Sequence, residues 1–270
     1  MTRTGHHDIG HGEIDKPADT VYTRHFPDSP NFGDITIIDP STLPKFDLIT
    51  AGFPCQPFSS LGKMQGRKDP RGTLFDEIVR IAKFCRPRIL LFENVLRLLS
   101  NDNGRTFHLT LTMLDEIGYD VEWQVLDSAD FGCPQRRERI YIIGHLRGES
   151  RPKIFPLADT SGNVFDCGFK KHIQPLFKGH GDTYTIVLRD GCARTIMTSS
   201  SSSGLVYDAD VDYENLDPTK VRRYTFLELE RIMGFPDNWT KVDGLLPGQR
   251  HTMLGNAVTP PVIEWIGERL

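Results

Sequence analysis

The first half of the chain alternates short apolar runs with segments that place their apolar residues on one helical face. The strand-like runs are residues 45–52, 88–94, 119–127 and 139–146. The first two runs are apolar almost throughout, which is typical of strands covered on both faces of a parallel sheet. Apolar spacings of three and four residues predict helices over residues 71–85 and around residues 107–114.

This β-α-β-α-β order predicts a doubly wound, Rossmann-like α/β sheet with right-handed crossovers. In such a sheet, ligands bind outside the carboxyl ends of the strands. Cys55 follows the first predicted strand, and Glu93 lies at the end of the second. We therefore expect the functional residues of this domain at that edge of the sheet.

The second half of the chain differs in composition and in the pattern of its apolar residues. Beyond residue 147, Pro, Gly, Lys and aromatic residues mix with little periodicity, which predicts a smaller, irregular region of loops and short strands. Thr225 and Glu228 form a capping-box pattern, so a helix is expected to begin there. Residues 261–270 are predicted to form a final amphipathic helix.

Composition narrows the possible functions. The 270 residues include 32 basic and 36 acidic side chains, which excludes a strongly basic nucleic-acid coat but allows a local basic surface. No apolar run approaches the ~18 residues of a membrane span, and no signal-peptide pattern is present. Five cysteines without a Cys-x-x-Cys pair favour free thiols over disulfides or a zinc site. We expect a soluble cytoplasmic protein without a membrane anchor or bound metal.

Two residues near the predicted strand ends have the chemistry of a reaction centre. Cys55 stands between two prolines that stiffen its backbone, and a cysteine thiolate is a strong nucleophile. A buried structural cysteine is the alternative. Glu93 ends an apolar strand, where burial would raise the pKa of its carboxyl and allow it to donate a proton near neutral pH. A surface carboxylate at a strand-to-loop turn is the alternative for Glu93.

A basic segment follows. Arg137 and Arg139 alternate onto one face of a predicted strand, where they could orient a carboxylate, a base or a phosphate. A solvated charge cluster is the plainer interpretation. Residues 131–180 hold nine basic and four acidic side chains in a chain whose net charge is −4. That contrast indicates a basic surface facing a polyanion.

Four motifs occur in the order found in DNA cytosine-5 methyltransferases, a family that this chain resembles from residue 12 to residue 270. They are Pro54-Cys55-Gln56, Glu93-Asn94-Val95, Gln135-x-Arg137-x-Arg139 and Gly255-Asn256-Ala257-Val258. Each motif is weak alone, whereas the ordered set is very specific. The resemblance implies methyl transfer from S-adenosylmethionine to carbon 5 of a cytosine flipped out of double-stranded DNA. It also implies a role in restriction-modification or phage self-protection.

The resemblance implies roles for individual residues. Cys55 would add to carbon 6 of the ring, and Glu93 would protonate or hydrogen-bond nitrogen 3. Arg139 would contact Glu93 or the base, while Arg137 would help to hold the covalent intermediate. The residues implied for the cofactor are Glu13, Asp34, Pro54, Leu74, Asn256 and Val258. Those implied for DNA are Ser59, Lys63 and Arg71, which belong to a loop that would close over the duplex.

The resemblance also divides the chain into three parts. Residues 1–150 would form the catalytic and cofactor domain. Residues 151–248 would form the target-recognition domain and hinge. Residues 249–270 would return to the catalytic domain.

One departure from the family concerns the start of the chain. The family normally begins with a Phe-x-Gly-x-Gly turn and a helix before its first acidic residue, and only twelve residues precede Glu13. We therefore expect the first strand, glycine turn and helix to lie upstream, to come from an N-terminal partner chain, or to be lost. Two alternatives stay open: a DNA-binding remnant or split-enzyme subunit without independent activity, and a transfer-RNA cytosine-5 methyltransferase. The absence of a Cys-Phe-Thr tripeptide disfavours the latter.

Overall fold

The computed structural model describes most of the chain in separate segments. The described residues are 4–54, 73–148, 154–155, 193–198 and 221–270, with the backbone of 175–179, 182–187 and 205–207. The helices are α1 (Lys16–His25), α2 (Thr73–Cys85), α3 (Arg105–Glu116), α4 (Phe226–Met233), α5 (Pro247–Asn256) and α6 (Pro260–Gly267). The first five strands are β1 (Leu48–Gly52), β2 (Ile89–Val95), β3 (Tyr119–Asp127), β4 (Gln135–Arg136) and β5 (Glu138–Leu146). The others are β6 (Pro175–Gly179), β7 (Asp182–Val187), β8 (Ala193–Arg194), β9 (Leu205–Tyr207) and β10 (Val221–Arg222).

The main sheet has four strands in the order β1-β2-β5-β3. β1 and β2 are parallel and pair from Leu48 with Ile89 to Gly52 with Glu93. β5 lies between β2 and β3 and is antiparallel to both. The prediction of an α/β sheet is therefore confirmed, but a wholly parallel sheet is not. No crossover helix separates β3 from β5, and such a short connection can join only antiparallel strands.

Helices cover both faces of this sheet. On one face, Phe75 of α2 and Leu114 of α3 pack with Phe92 of β2. On the other face, Ile266 of α6 packs with Leu91. Because successive residues of β2 point to opposite faces, each side chain meets a helix layer, which explains why the strand is apolar on both faces. Glu93 thus stands at the end of a strand whose preceding residues are fixed by core packing.

The predicted helices of the second half are present. The Thr225 hydroxyl accepts a hydrogen bond from the Glu228 amide at 3.2 Å, and the Glu228 carboxylate accepts one from the Thr225 amide at 2.7 Å. This capping box begins α4, as the sequence predicts. The final predicted helix is α6, and it begins one residue before the predicted start.

A second sheet and a short strand pair occupy the irregular half of the chain. The second sheet has the order β10-β9-β7-β6. β8 pairs in parallel with β4, bringing Ala193 beside Gln135. Ile196 then packs with Met233 and Leu254 in a cluster formed by α4 and α5. Residues 193–198 therefore lie between β4 and the cluster formed by α4 and α5.

Candidate active site

Glu93 forms the centre of the site. It pairs with Gly52 at the last position of the β1–β2 ladder, so it stands at the carboxyl end of both parallel strands. Its side chain is 12 % exposed, and its Oε1 lies 3.0 Å from Nε of Arg139. Oε2 makes no hydrogen bond to any described residue, and a Cβ added at Gly52 would lie 3.6 Å from it. One carboxylate oxygen is thus held by a cation.

Burial and charge act in opposite directions on this carboxyl group. Desolvation raises the pKa of Glu93 above its ordinary value, and the positive charges of Arg139 and Arg137 oppose that rise. The net effect is upward because the burial of the carboxyl is the larger cause. Such a group can hold a proton at higher pH than a surface carboxylate and can give it to a bound base.

The register of β2 and β5 explains the pairing of Glu93 with Arg139. Val95 lies opposite Arg139, and Glu93 lies opposite Tyr141. Glu93 and Arg139 are therefore diagonal neighbours on one face of an antiparallel pair, within reach of long side chains. The antiparallel insertion of β5 creates this contact.

Arg137 lies in the break between β4 and β5 and is only 2 % exposed. Its Nη1 donates to the Ile196 carbonyl at 3.0 Å, and its Nη2 donates to the carbonyls of Gly255 and Ala257 at 2.9 Å each. Burial and the neighbouring Arg139 charge lower the pKa of Arg137 to about 10. The guanidinium therefore joins residues 193–198 to the end of α5, while its predicted contact with a covalent intermediate stays a prediction.

Gly255 explains why the end of α5 can approach residues 193–198 so closely. A Cβ added there would lie 2.5 Å from the backbone carbon of Met197 and 2.5 Å from the nitrogen of Thr198. Only glycine fits against that peptide unit. Asn256 follows as an exposed residue, and Val258 is half-buried. Both predicted cofactor residues thus belong to a segment fixed by Arg137 and Gly255.

A cleft of about 590 Å³ opens beside the Glu93–Arg139 pair. Its lining includes the basic side chains of Arg97, Arg136 and Arg139, the acidic side chains of Asp127 and Glu138, and the apolar side chains of Val95 and Met197. Val95 is 38 % exposed and Met197 is 48 % exposed. A ligand that combines apolar surface with polar or charged groups matches this lining better than a purely apolar one.

The predicted cofactor carboxylates lie in two neighbouring segments joined by Asn31. The Asn31 side chain accepts from the Glu13 amide at 3.1 Å and donates to the Glu13 carbonyl at 2.9 Å. It also accepts from the Gly33 amide at 2.8 Å. Asp34 follows directly, and its Oδ1 accepts from the amide and hydroxyl of Thr36, which lowers the pKa of that carboxyl.

Glu13 is oriented by its own backbone. Its Oε1 accepts from the amides of Ile14 and Asp15 at 2.8 Å each, and its Oε2 has no hydrogen bond to a described residue. Ile14 beside it is 73 % exposed, and Ile37 beyond Asp34 is 81 % exposed. An available carboxylate oxygen and exposed apolar side chains suit the ribose hydroxyls and flat base of an adenosine group, so the donor set fits the adenosyl part of S-adenosylmethionine.

Two predicted cofactor residues flank the chain around Cys55. Pro54 is exposed just after β1, and Leu74, in the first turn of α2, is 37 % exposed. Cys55, Ser59, Lys63 and Arg71 lie outside the described residues. Their assigned roles remain predictions.

Two asparagines were missed by reasoning from sequence. Asn31 joins the Glu13 and Asp34 segments, and Asn94 donates to the Phe53 carbonyl at 2.8 Å. Asn94 belongs to a motif that the sequence singled out, but only its neighbour Glu93 was given a role. Asn31 has no periodic or motif signal, because its partner Glu13 is 18 residues away.

Within the described segments, no helix has the length and apolar character required to cross a bilayer. The same residues contain no group of three or more His, Cys, Asp or Glu side chains arranged to hold a metal ion.

Known proteins resemble this chain along most of its length. The profile of the family described as C-5 cytosine-specific DNA methylase matches residues 1–174 and 180–270. The chain belongs to this family. It is 38 % identical over 269 residues to the Type II methyltransferase M.NgoBI of Neisseria gonorrhoeae, covering 93 % of this chain and 82 % of that protein. With the Type II methyltransferase M.HaeII of Haemophilus aegyptius, identity is 36 % over 269 residues, or 94 % of this chain and 82 % of that protein.

Solved structures show the same fold at lower sequence identity. The S. pombe Dnmt2 methyltransferase aligns with a TM-score of 0.75 and 19 % identity, over 96 % of this chain and 89 % of that one. A putative DNA modification methyltransferase encoded within an E. coli prophage aligns with a TM-score of 0.60 and 19 % identity, over 97 % and 91 %. The predicted Rossmann-like methyltransferase fold is confirmed, and the chain is a member of the cytosine-5 DNA methyltransferase family.

Proposed function

We propose that the chain methylates carbon 5 of a flipped cytosine in double-stranded DNA through a covalent adduct with Cys55. The observation that supports this most strongly is the Glu93–Arg139 pair. A carboxyl with a raised pKa stands at the carboxyl ends of β1 and β2, with one oxygen 3.0 Å from a guanidinium. Phe53 and Pro54 follow β1, and Cys55 is the next residue in the sequence, so we expect the nucleophile at the same edge of the sheet as the proton donor.

The chemistry assigns separate tasks to these groups. Carbon 5 of cytosine is a poor nucleophile until a thiolate adds to carbon 6, which gives the ring enamine character. Glu93 assists that addition by protonating or hydrogen-bonding nitrogen 3, while Arg139 orients the carboxyl. Once carbon 5 carries the methyl group, a base removes the proton from carbon 5, and that electron pair re-forms the C5–C6 double bond as the Cys55 thiolate leaves carbon 6. Because the target atoms are stacked inside a duplex, the base must first be flipped out.

S-adenosylmethionine supplies an activated methyl group when it is bound. Glu13 would bind its ribose hydroxyls, and Asp34 would contact its adenine. Pro54, Leu74, Asn256 and Val258 would line the rest of its site.

The DNA surface in this proposal combines the cleft with the neighbouring loop. Arg97 in the cleft can neutralise a phosphate, a contribution that weakens with added salt. Ser59, Lys63 and Arg71 would add contacts as the loop closes over the duplex. We assign residues 1–150 to catalysis and cofactor binding, 151–248 to target recognition, and 249–270 to the return of the chain to the catalytic domain. The proposal includes action in the cytoplasm of a bacterial or phage-infected cell.

Two other functions remain to be separated from this one. A remnant or split subunit would bind DNA without methylating it, and an N-terminal partner chain would then restore activity. The outer edge of β1 pairs with no described strand, so it offers a place where a further strand could pair. A transfer-RNA methyltransferase would prefer RNA to duplex DNA.

The test is transfer of a labelled methyl group to duplex DNA, with transfer RNA as competitor and Cys55→Ala as control. We expect label in DNA with the wild type and none with the variant. Equal labelling by both proteins would contradict the role of Cys55. Label in transfer RNA alone would assign the RNA substrate, and tight DNA binding without label would support the split subunit.

A further inference from the structure

We infer that Asn94 is a positioning residue, fixing the backbone that leads to Cys55 relative to Glu93. This inference rests on the proposed function. The Asn94 side chain is buried, with 3 % of the residue exposed. Its Nδ2 donates to the Phe53 carbonyl at 2.8 Å, and its Oδ1 accepts from the Val95 amide at 2.9 Å. The two partners fix the amide orientation, since a carbonyl can only accept and an amide N–H can only donate.

The contact lies where the two parallel strands separate. Main-chain pairing between β1 and β2 ends at Gly52 and Glu93. The next residues are Phe53 and Asn94, and their connection is made by the Asn94 side chain. Asn94 therefore extends the link between the strands by one residue, to the last position before Pro54.

The ring of Phe53 is held as well as its carbonyl. Its centroid lies 4.6 Å from that of Phe75 and 6.1 Å from that of Phe92. Pro54 then restricts its own φ to about −65° and limits the conformation of Phe53. The packing of the Phe53 ring, the hydrogen bond to its carbonyl and the restricted φ of Pro54 together limit the backbone conformations available just before Cys55.

Asn94 is also the immediate neighbour of the proton donor. Consecutive strand residues point to opposite faces, so the side chain of Glu93 pairs with Arg139 on one face while that of Asn94 starts from the other and bonds the Phe53 carbonyl. One short stretch of β2 thus holds the acid and anchors the backbone of Phe53, two residues before the nucleophile in the sequence. If the anchor is lost, the backbone that leads to Cys55 is no longer fixed relative to the Glu93 carboxyl, and a misplacement of about 1 Å can cost about 10²-fold in rate.

The experiment uses Asn94→Asp and Asn94→Ala with Tyr119→Phe as the matched control. Asn94→Asp keeps the side-chain shape but replaces the donor with an oxygen that faces the Phe53 carbonyl. Tyr119→Phe also removes one buried hydrogen bond to a backbone carbonyl, that of Pro87 at 2.7 Å, at the opposite end of β2. All proteins are compared at a temperature at which thermal melting shows them to be folded.

The readout is release of tritium into water from duplex DNA containing [5-³H]cytosine, without methyl donor. Thiolate addition at carbon 6 lets carbon 5 take a proton from water, and reversal of the addition releases either that proton or tritium. The exchange rate therefore reports thiolate addition to carbon 6, the step that requires Cys55 and Glu93 to be correctly placed relative to each other. Binding of the same DNA is measured in parallel by fluorescence anisotropy.

We expect both Asn94 variants to bind DNA like the wild type and to lose about 10²-fold in exchange rate. Tyr119→Phe should exchange at the wild-type rate. Exchange by the Asn94 variants at the rate of Tyr119→Phe would overturn the positioning role. Absence of exchange in the wild type itself would instead contradict the proposed covalent function.

Discussion

The region around Glu93 and the region around Glu13 and Asp34 both depend on carboxylates, but they hold them in opposite ways. Glu93 is enclosed at a strand end, and burial raises the pKa of its carboxyl. Glu13 and Asp34 lie in partly exposed segments outside the helices and strands, where backbone amides hold one oxygen of each side chain. The same contacts from Thr36 lower the pKa of Asp34.

The difference shows how the environment of a carboxyl group decides whether it acts as an acid or as a hydrogen-bond acceptor. A carboxyl that keeps its proton can act as an acid, and the enclosed site around Glu93 favours that state. A carboxylate that stays ionised accepts hydrogen bonds from hydroxyl and amino groups, as a nucleoside requires. The enclosed region therefore suits chemistry, and the open region suits binding.

The largest expected effect comes from Glu93→Gln. Glutamine keeps the shape but cannot deliver a proton, so the single-turnover methylation rate should fall by roughly 10²- to 10⁴-fold while DNA binding persists. Glu122→Gln is the matched control, since Glu122 is also mostly buried but pairs with His145 at 2.7 Å, outside the candidate site. A methylation rate for Glu93→Gln equal to that of Glu122→Gln would contradict the acid role.

The next effect concerns the stability of the enclosed region. Arg137→Met leaves three backbone carbonyls without their donors and should lower the free energy of unfolding by about 3 kcal/mol or more. Arg136→Met, one residue away, removes a half-exposed ion pair with Asp127 and should cost about 1 kcal/mol or less. Urea unfolding of the two variants measures the difference, and equal losses would refute the joining role of Arg137.

A substitution in the region around Glu13 and Asp34 should change the affinity for the cofactor rather than the free energy of unfolding. Glu13→Gln removes a charged acceptor from the predicted ribose site, so calorimetry should show about tenfold weaker binding of S-adenosylhomocysteine. Asp28→Asn removes an exposed charge from the same part of the chain and serves as control. If both variants bind equally well, Glu13 does not contact the cofactor.

The smallest expected effect is on the free energy of unfolding, which Glu93 and Asp34 should make depend on pH in opposite directions. Because the folded protein raises the pKa of Glu93, the wild type should lose stability relative to Glu93→Gln as pH rises from below 4.5 through the raised value. Because it lowers the pKa of Asp34, the wild type should lose stability relative to Asp34→Asn as pH falls below 3.8. Urea unfolding from about pH 3 to 8 measures both slopes, and slopes of the same sign would contradict the contrast between the two regions.

Local patterns predicted the elements that position the site. The apolar runs predicted β1 and β2, and their order placed Glu93 at the ligand-binding edge of the sheet. The capping box at Thr225 likewise predicted the start of α4, because its two hydrogen bonds join residues three positions apart. Such elements can be predicted from sequence because the residues that interact to form them are only a few positions apart.

The remaining features depend on segments that are distant in sequence. The carbonyl partners of Arg137 lie 59 to 120 residues away. Asn94 meets Phe53 across 41 residues. No periodic pattern in the sequence predicts either contact, because each depends on how strands and helices pack together. The antiparallel direction of β5 was missed for a related reason: alternation of strands and helices says nothing about a strand that follows a short turn.

The proposed bond between Cys55 and carbon 6 of the target cytosine can be trapped with a fluorinated substrate. The protein is mixed with duplex DNA in which every cytosine is replaced by 5-fluorocytosine, together with S-adenosylmethionine. Fluorine cannot leave carbon 5 as a proton does, so the account predicts a complex that survives denaturation, with the DNA attached to the Cys55 peptide by mass spectrometry. Methylation of ordinary DNA with no such complex, or a complex that persists in Cys55→Ala, would contradict it.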